Sequence, residues 1–453
     1  MNYLSSKLYE IKSYGYFVLG VLTTVYSFNF IDRQLLVILQ ESIKAEMGLS
    51  DTQLGLLSGF SFAIFYVSFG IPLAKLADTW IRRDVIAISL TVWSSMTAVS
   101  GFAQNFIHLL LARIGVAIGE AGGSPPAHAM VSDIFNQEQR ATALAIYSTG
   151  INIGILFGFL LGGWINEFYG WRTAFLVVGL PGIALAIFLK LAVAEPNRGM
   201  AEEKVDDGSA PKLKETLKHL WSRKSFRHLS IACGIHAFVS YGAGNFLPSL
   251  FLRLHDIETG ELGTWLALSS VAGGVGTFMG GYLSDKLGKQ DPRWYQWVPA
   301  ITTLIYLPFT LFIYLTDQTY LALMTTFITG MLFNAYLAPN LAITHSLVGL
   351  RMRAMSSAIL FFILNFIGLG FGPMVIGFVS DMINPTYGIE SIRYALLIVI
   401  PISTIWSATH YFIAAKHIRS DLESVSYTHL RAHETREDRG LAGRGGKKKW
   451  GGG

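Results

Sequence analysis

Gly281-Tyr-Leu283-Ser-Asp285-Lys286-Leu-Gly288-Lys289 closes one long apolar run of this chain. A similar stretch, Ala74-Lys-Leu76-Ala-Asp78-Thr79-Trp-Ile81-Arg82-Arg83, closes another. In both, Leu-x-Asp ends an apolar segment and basic residues follow within a few positions. Asp78 and Asp285 stand 207 positions apart, close to half of the chain once its polar end is set aside. A repeated unit of apolar segment, basic loop and apolar segment is what a membrane chain built from two similar halves would show.

The composition agrees. Of 453 residues, 52% are hydrophobic and only 14% charged, with a mean hydropathy of +0.44. A soluble domain would carry roughly a quarter charged residues. The single cysteine, Cys233, excludes an internal disulfide framework or a cysteine metal cluster. No cleavable-leader pattern precedes the first apolar stretch, so that stretch is expected to stay as a membrane helix. From Tyr427 onward the chain turns polar, basic and Gly-rich. Its Ser-Tyr-Thr-His-Leu-Arg-Ala-His-Glu-Thr run resembles translated adapter sequence more than a natural terminus. Residues 417–453 are therefore treated as a tail, non-native and disordered from about 427. The tail carries most of the formal net charge of +5, so the charge gives no sign of a nucleic-acid partner.

A helix crossing the hydrocarbon core needs about 20 mostly apolar residues. Segments of that kind lie near 14–40, 53–77, 84–103, 106–133, 140–168 and 172–194, then near 226–254, 262–284, 295–316, 319–347, 352–380 and 391–415. The short alternation of β-barrel strands is missing from them. The expected fold is all-α: twelve transmembrane helices in two six-helix bundles, 1–194 and 226–416. Residues 195–225 form a linker, with a charge run at Glu202–Asp207 and an amphipathic helix carrying Lys212, Lys214, Glu215, Lys218 and His219. Lys and Arg concentrate in the loops on one side, among them Arg82, Arg83, Arg140, Lys286, Lys289, Arg351 and Arg353. The other side has Lys44, Arg172, Arg253 and Arg393. This asymmetry places both termini in the cytoplasm.

The halves match elsewhere too. Arg140-Ala-Thr-Ala opens the fifth segment and Arg353-Ala-Met-Ser the eleventh. Each then runs into glycines, Gly150, Gly154, Gly158 and Gly162 in one and Gly368, Gly370, Gly372 and Gly377 in the other. Small residues at four-residue spacing let helix backbones approach closely. Six segments per half give both halves one orientation, hence parallel repeats.

At this point the loop at 281–289 resembles the signature between helices eight and nine of the major facilitator superfamily, with 74–83 as its partner between helices two and three. Ala74, Thr79 and Ile81 depart from that pattern. Asn29-Phe-Ile-Asp32-Arg33 and Arg113-x5-Gly119-Glu120-x4-Pro125 resemble the Spinster branch, which includes sphingolipid and lysolipid exporters. Aromatic-acid and hexuronate symporters share the Asp-Arg pair. The resemblance implies alternating access by rocking one bundle against the other.

The intramembrane charges carry the chemistry. A charge near the bilayer centre costs about 2.5–3.5 kcal/mol on insertion scales, so it faces a cavity or a partner. Asp32 and Arg33 point in different directions, and Arg113 and Glu120 share a helix face, so pairing between helices is expected. Two roles fit: a static buried ion pair, or proton coupling at Asp32 and Glu120 with Arg33 and Arg113 as partners or as receptors for a substrate head group. Asp78, Arg82, Arg83, Asp285, Lys286 and Lys289 fit a cytoplasmic latch, or plain topology charges. Phe62, Tyr66, Tyr241, Asn245, Asn334 and Tyr336 are candidate cavity-lining residues. Gly122, Gly123, Pro125, Pro126, Gly244, Pro248 and Pro339 are expected to break helices there. His128, His236 and His345 lie on three helices without ligand spacing and read as satisfied interior groups. No Walker A loop is present, so ATP is not the expected driver.

The expected protein is thus a proton-coupled secondary transporter of the plasma membrane. It would be a monomer without cofactor or metal, moving a small organic anion or a lysolipid-like amphiphile. A passive facilitator or receptor with purely structural charges is the competing class.

Overall fold

The computed structural model describes Tyr9 and residues 12–201, 213–349 and 352–444. Among them there are helices and turns and no strand. In chain order the helices are α1 (Lys12–Met47), α2 (Asp51–Thr79), α3 (Arg82–Ser100), α4 (Phe106–Ile134) and α5 (Gln137–Ala192), followed by a short α6 (Leu213–Ser222). Then come α7 (Lys224–Leu254), α8 (Thr259–Gly288), α9 (Trp294–Leu315), α10 (Thr319–Ser346), α11 (Arg353–Ile363), α12 (Gly372–Tyr387) and α13 (Ser391–Arg444). Eight stretches of these residues are long and apolar enough to cross a membrane.

Polar side chains start the helices where loops deliver them. Ser50 and Gln53 form a reciprocal capping box on α2. Asn105 and Asn136 accept from backbone amides of α4 and α5 at 2.9 and 3.1 Å. The chain turns inside α5 at Gly170, whose φ of 81° lies in the left-handed region open to glycine. The expected break in α4 falls at Gly122–Gly123, before Ser124-Pro-Pro restarts the helix. In α10 a 3-10 turn occupies Asn334–Tyr336, just ahead of Pro339. Gly244 and Pro248, by contrast, lie inside an unbroken α7. Two π turns, Leu56–Phe60 in α2 and Leu364–Phe371 between α11 and α12, have no counterpart in the sequence reading.

The glycine ladder positions α1. A Cβ on Gly154 would lie 2.4 Å from the Ser27 carbonyl oxygen, and one on Gly158 would lie 2.7 Å from the Gln34 Cβ. Only hydrogen fits there, so α5 presses directly on α1 and fixes the depth of Asp32 and Arg33. Gly119 plays the same part on α4, where a Cβ would meet the Trp93 amide at 2.6 Å. That contact holds Glu120 beside α3.

Between the two sets of long helices, α6 has Thr216 and Leu220 buried and Leu213, Leu217 and Trp221 exposed. The charge run at 202–207 and Lys212 lie outside the described residues. The last helix continues to Arg444, through a stretch rich in helix-forming Leu, Arg, Ala and Glu with no glycine before Gly440. Residues 445–453 lie outside the described residues. Truncation after Val425 is still expected to leave melting temperature in detergent and transport unchanged. A clear drop in either would show a native, docked segment.

Candidate functional site

Four charges meet in the first half. Arg33 of α1 pairs with Glu120 of α4, Nε to Oε2, at 2.8 Å. Asp32 accepts a hydrogen bond from Thr97 of α3 at 3.0 Å. Asp32, Arg113 and Glu120 are 1%, 2% and 0% exposed, whereas the Arg33 side chain keeps 14%. Among the described residues, Asp32 Oδ1, Glu120 Oε1 and Arg113 Nε and Nη1 are buried without a hydrogen-bond partner. Two carboxylates and two guanidiniums balance in formal charge, yet only one pair is in direct contact. The expected cross-helix pairing is therefore present between Arg33 and Glu120, and Arg113 is not hydrogen-bonded to either acid.

Aromatic rings surround the cations. The Arg33 guanidinium lies 4.8 Å from the Phe62 ring centre and 5.1 Å from those of Phe30 and Tyr66, and Arg113 lies 5.4 Å from Phe62. Such faces stabilise a cation without neutralising it. Tyr26 stacks on Tyr147 at 4.5 Å between centres. In the second half, Tyr336 and Phe333 sandwich His236, whose Nε2 lies 2.9 Å from the Phe333 carbonyl. His345 contacts Ser357 and His128 packs on Tyr147, so all three histidines have local partners. Tyr241 is half-buried, and Asn334 is exposed and bonded back to the Gly330 carbonyl. Asn245 is buried, and its carbonyl accepts from Gln40 of α1 at 2.5 Å.

The expected latch residues find their partners in their own half or in the linker. Arg82 pairs with Asp133 and Glu195, Arg83 with Asp84, and the Asp78 carbonyl accepts from Arg198. Asp285 accepts from Tyr295 at 2.8 Å, and Lys286 lies 6.0 Å from the Tyr282 ring centre. Among the described residues, no hydrogen bond or ion pair joins these six, Lys289 included, to the opposite half. Nearby, a side-chain hydrogen bond from Arg293, reinforced by Arg419, holds Asp291 well below the usual carboxylate range.

The far end, where α1 meets α2 and α7 meets α8, is bridged instead. Arg253 of α7 grips Glu41 at 2.7 and 2.8 Å and Asp51 at 2.6 and 2.8 Å. Lys44 also pairs with Asp51. Asp381 of α12 accepts from the Asp51 and Thr52 amides at 2.9 and 2.8 Å, and Ser380 donates to Asp51 at 2.6 Å. Glu167 takes the Gly260 amide at 2.7 Å. A Cβ on Gly377 would lie 2.2 Å from the Asp51 carbonyl oxygen, and one on Gly263 2.4 Å from that of Phe159. Sequence reading missed this network: Arg253 counted only as a topology charge, and Ser50-Asp51-Thr52-Gln53 signals a helix start rather than a lock.

Two halves of membrane-length helices, joined at one end around buried charges, have the architecture of a membrane transporter. The chain belongs to the Major Facilitator Superfamily, whose family model matches residues 22–373. It is 34% identical to an MFS-type efflux pump of Mycolicibacterium smegmatis, over 89% of this chain and 93% of that protein. It is 28% identical to a probable L-galactonate transporter of Escherichia coli, over 82% and 83%. Its structure is similar to that of a bacterial homologue of the human lysosomal transporter Spinster in an inward-facing, unoccupied conformation. There the TM-score is 0.79 at 30% identity, covering 90% of this chain and 97% of that one. The resemblance to the Spinster branch is thus matched, and the chain is a multi-pass membrane transporter, not an enzyme.

Proposed function

We propose that this chain is a proton-coupled secondary transporter of the plasma membrane that moves an organic anion with an apolar body by alternating access. The observation that carries the reading is the buried, charge-balanced set of Asp32, Arg33, Arg113 and Glu120, in which only Arg33 keeps exposure, against the rings of Phe62 and Tyr66. A guanidinium of this kind suits a carboxylate or phosphate head. Asp32 and Glu120 are then the proton carriers, Arg33 the head-group receptor and Arg113 the internal counter-charge. Tyr241, Tyr336 and Asn334 would border the apolar part of the path.

In this reading Glu138–Ala192 and the long stretch Met355–Ser424 each cross twice. With Arg82–Ser100 and Lys224–Leu254 added, twelve crossings result, and both termini are cytoplasmic. The bridged far end is then the outer gate, closed, and the six loop charges are a cytoplasmic latch, released. The protein would work as a monomer. A hexuronate- or aldonate-type symporter is the second reading, favoured by the 28% likeness to the galactonate protein.

Reconstituted protein with an imposed pH gradient tests both readings. Uptake should be accompanied by proton movement, and a lysolipid or aromatic acid should compete at least tenfold better than a neutral hexose. Equal competition by the hexose would overturn the substrate class. Competition by a hexuronate but not by a lysolipid would favour the symporter.

A further inference from the structure

Thr97 is the side chain that the proton-site reading leaves without a role. It sits on α3, is 0% exposed, and donates from Oγ1 to Asp32 Oδ2 at 3.0 Å. Many hydroxyls in these helices bond back to their own helix one turn earlier. Thr23 does so to Leu19, Ser27 to Thr23, and on α3 itself Thr91 to Ala87 and Ser100 to Met96. Such back-bonding is the ordinary local option for Ser and Thr in a helix. Thr97 instead reaches across to α1. Asp32 Oδ1 has no hydrogen-bond partner among the described residues, so Thr97 supplies the direct hydrogen bond that this carboxyl makes.

The surrounding charges do not replace it. Arg113 and Glu120 face Asp32 from α4 through space, and Arg33, on its own helix, is engaged with Glu120. Against this stretch of α1, α5 presents the glycines Gly150, Gly154 and Gly158, which carry no titratable group.

We propose that Thr97 is a positioning residue for proton coupling: it holds the Asp32 carboxyl in place and sets the pH at which that carboxyl takes up its proton. The proposal rests on the reading of Asp32 as a proton carrier. A hydroxyl suits the task because it donates to a carboxylate and accepts from a carboxylic acid, so the contact survives protonation. With the donor removed, the charged form loses a partner and the acid form is favoured. Proton uptake then occurs at higher pH.

The test compares Thr97→Val, which keeps shape and removes the hydroxyl, with Thr97→Ser, which keeps the hydroxyl. Thr97→Val should move the midpoint of the transport pH profile upward by about one unit or more, and Thr97→Ser should restore it. Difference infrared spectra of purified protein supply a readout independent of transport. The protonated-carboxyl band lost in Asp32→Asn should shift to higher frequency in Thr97→Val. An unmoved midpoint and band in Thr97→Val, with pH dependence abolished in Asp32→Asn, would overturn the role of Thr97 alone. If Asp32→Asn itself keeps the wild-type pH profile, the proton-site reading falls, and this inference with it.

Discussion

Asp32→Asn and Glu120→Gln should each abolish the pH dependence of transport, leaving the protein folded and inserted. Both substitutions keep size and hydrogen-bonding capacity while removing the proton that can be exchanged. The two should differ in stability. Glu120→Gln removes the acid from a pair with Arg33 at 2.8 Å, and leaving one partner of a buried pair uncompensated costs about 3–5 kcal/mol. Asp32 has no direct ion pair, and an amide oxygen at that position can still accept from Thr97. The melting temperature in detergent should therefore fall further in Glu120→Gln than in Asp32→Asn. Proton movement coupled to uptake, followed across pH in proteoliposomes, checks the functional half. Wild-type pH dependence in both variants would leave the charges as static ion pairs and make the chain a passive facilitator.

What was legible from the residues was whatever has a period or a price. Long apolar runs need no partner to announce a helix, and a buried charge is costly enough that Asp32, Arg33, Arg113 and Glu120 stood out without coordinates. The glycines at 150, 154, 158 and 162 announced a close helix contact, and α1 fills it. Thr97 was invisible because threonine in an apolar helix is ordinary, and only its burial and the direction of its hydroxyl distinguish it from Thr91. Asp51 and Arg253 were invisible for another reason. Each lies where a loop charge is expected, and their pairing joins residues 202 positions apart, which no local pattern encodes. The π turns at 56–60 and 364–371 escaped because a register change of one residue leaves the composition of a helix unaltered.

Arg253→Gln should turn the resting population toward the state that is open at the far end. Arg253 closes both Glu41 and Asp51 with paired hydrogen bonds, and its side chain is only 9% exposed. Every one of these contacts crosses between halves, so they stabilise the far-end-closed state and are lost when it opens. Removing one partner of such a network costs that state about 3–5 kcal/mol, and each 1.4 kcal/mol is a tenfold change in population. A chain resting mainly in the closed state would then spend most of its time in the other. Spin-label distances across the far end should lengthen, and those across the end bearing Asp78 and Asp285 should shorten. Gly377→Val should act in the same direction by steric means, since a Cβ there would lie 2.2 Å from the Asp51 carbonyl oxygen. Asp285→Asn, at the proposed latch, should act the opposite way by weakening the alternative state. If distances at both ends stay fixed in Arg253→Gln and Gly377→Val, the far-end network is a structural staple rather than a gate. Alternation would then have to be governed from the charge set around Asp32.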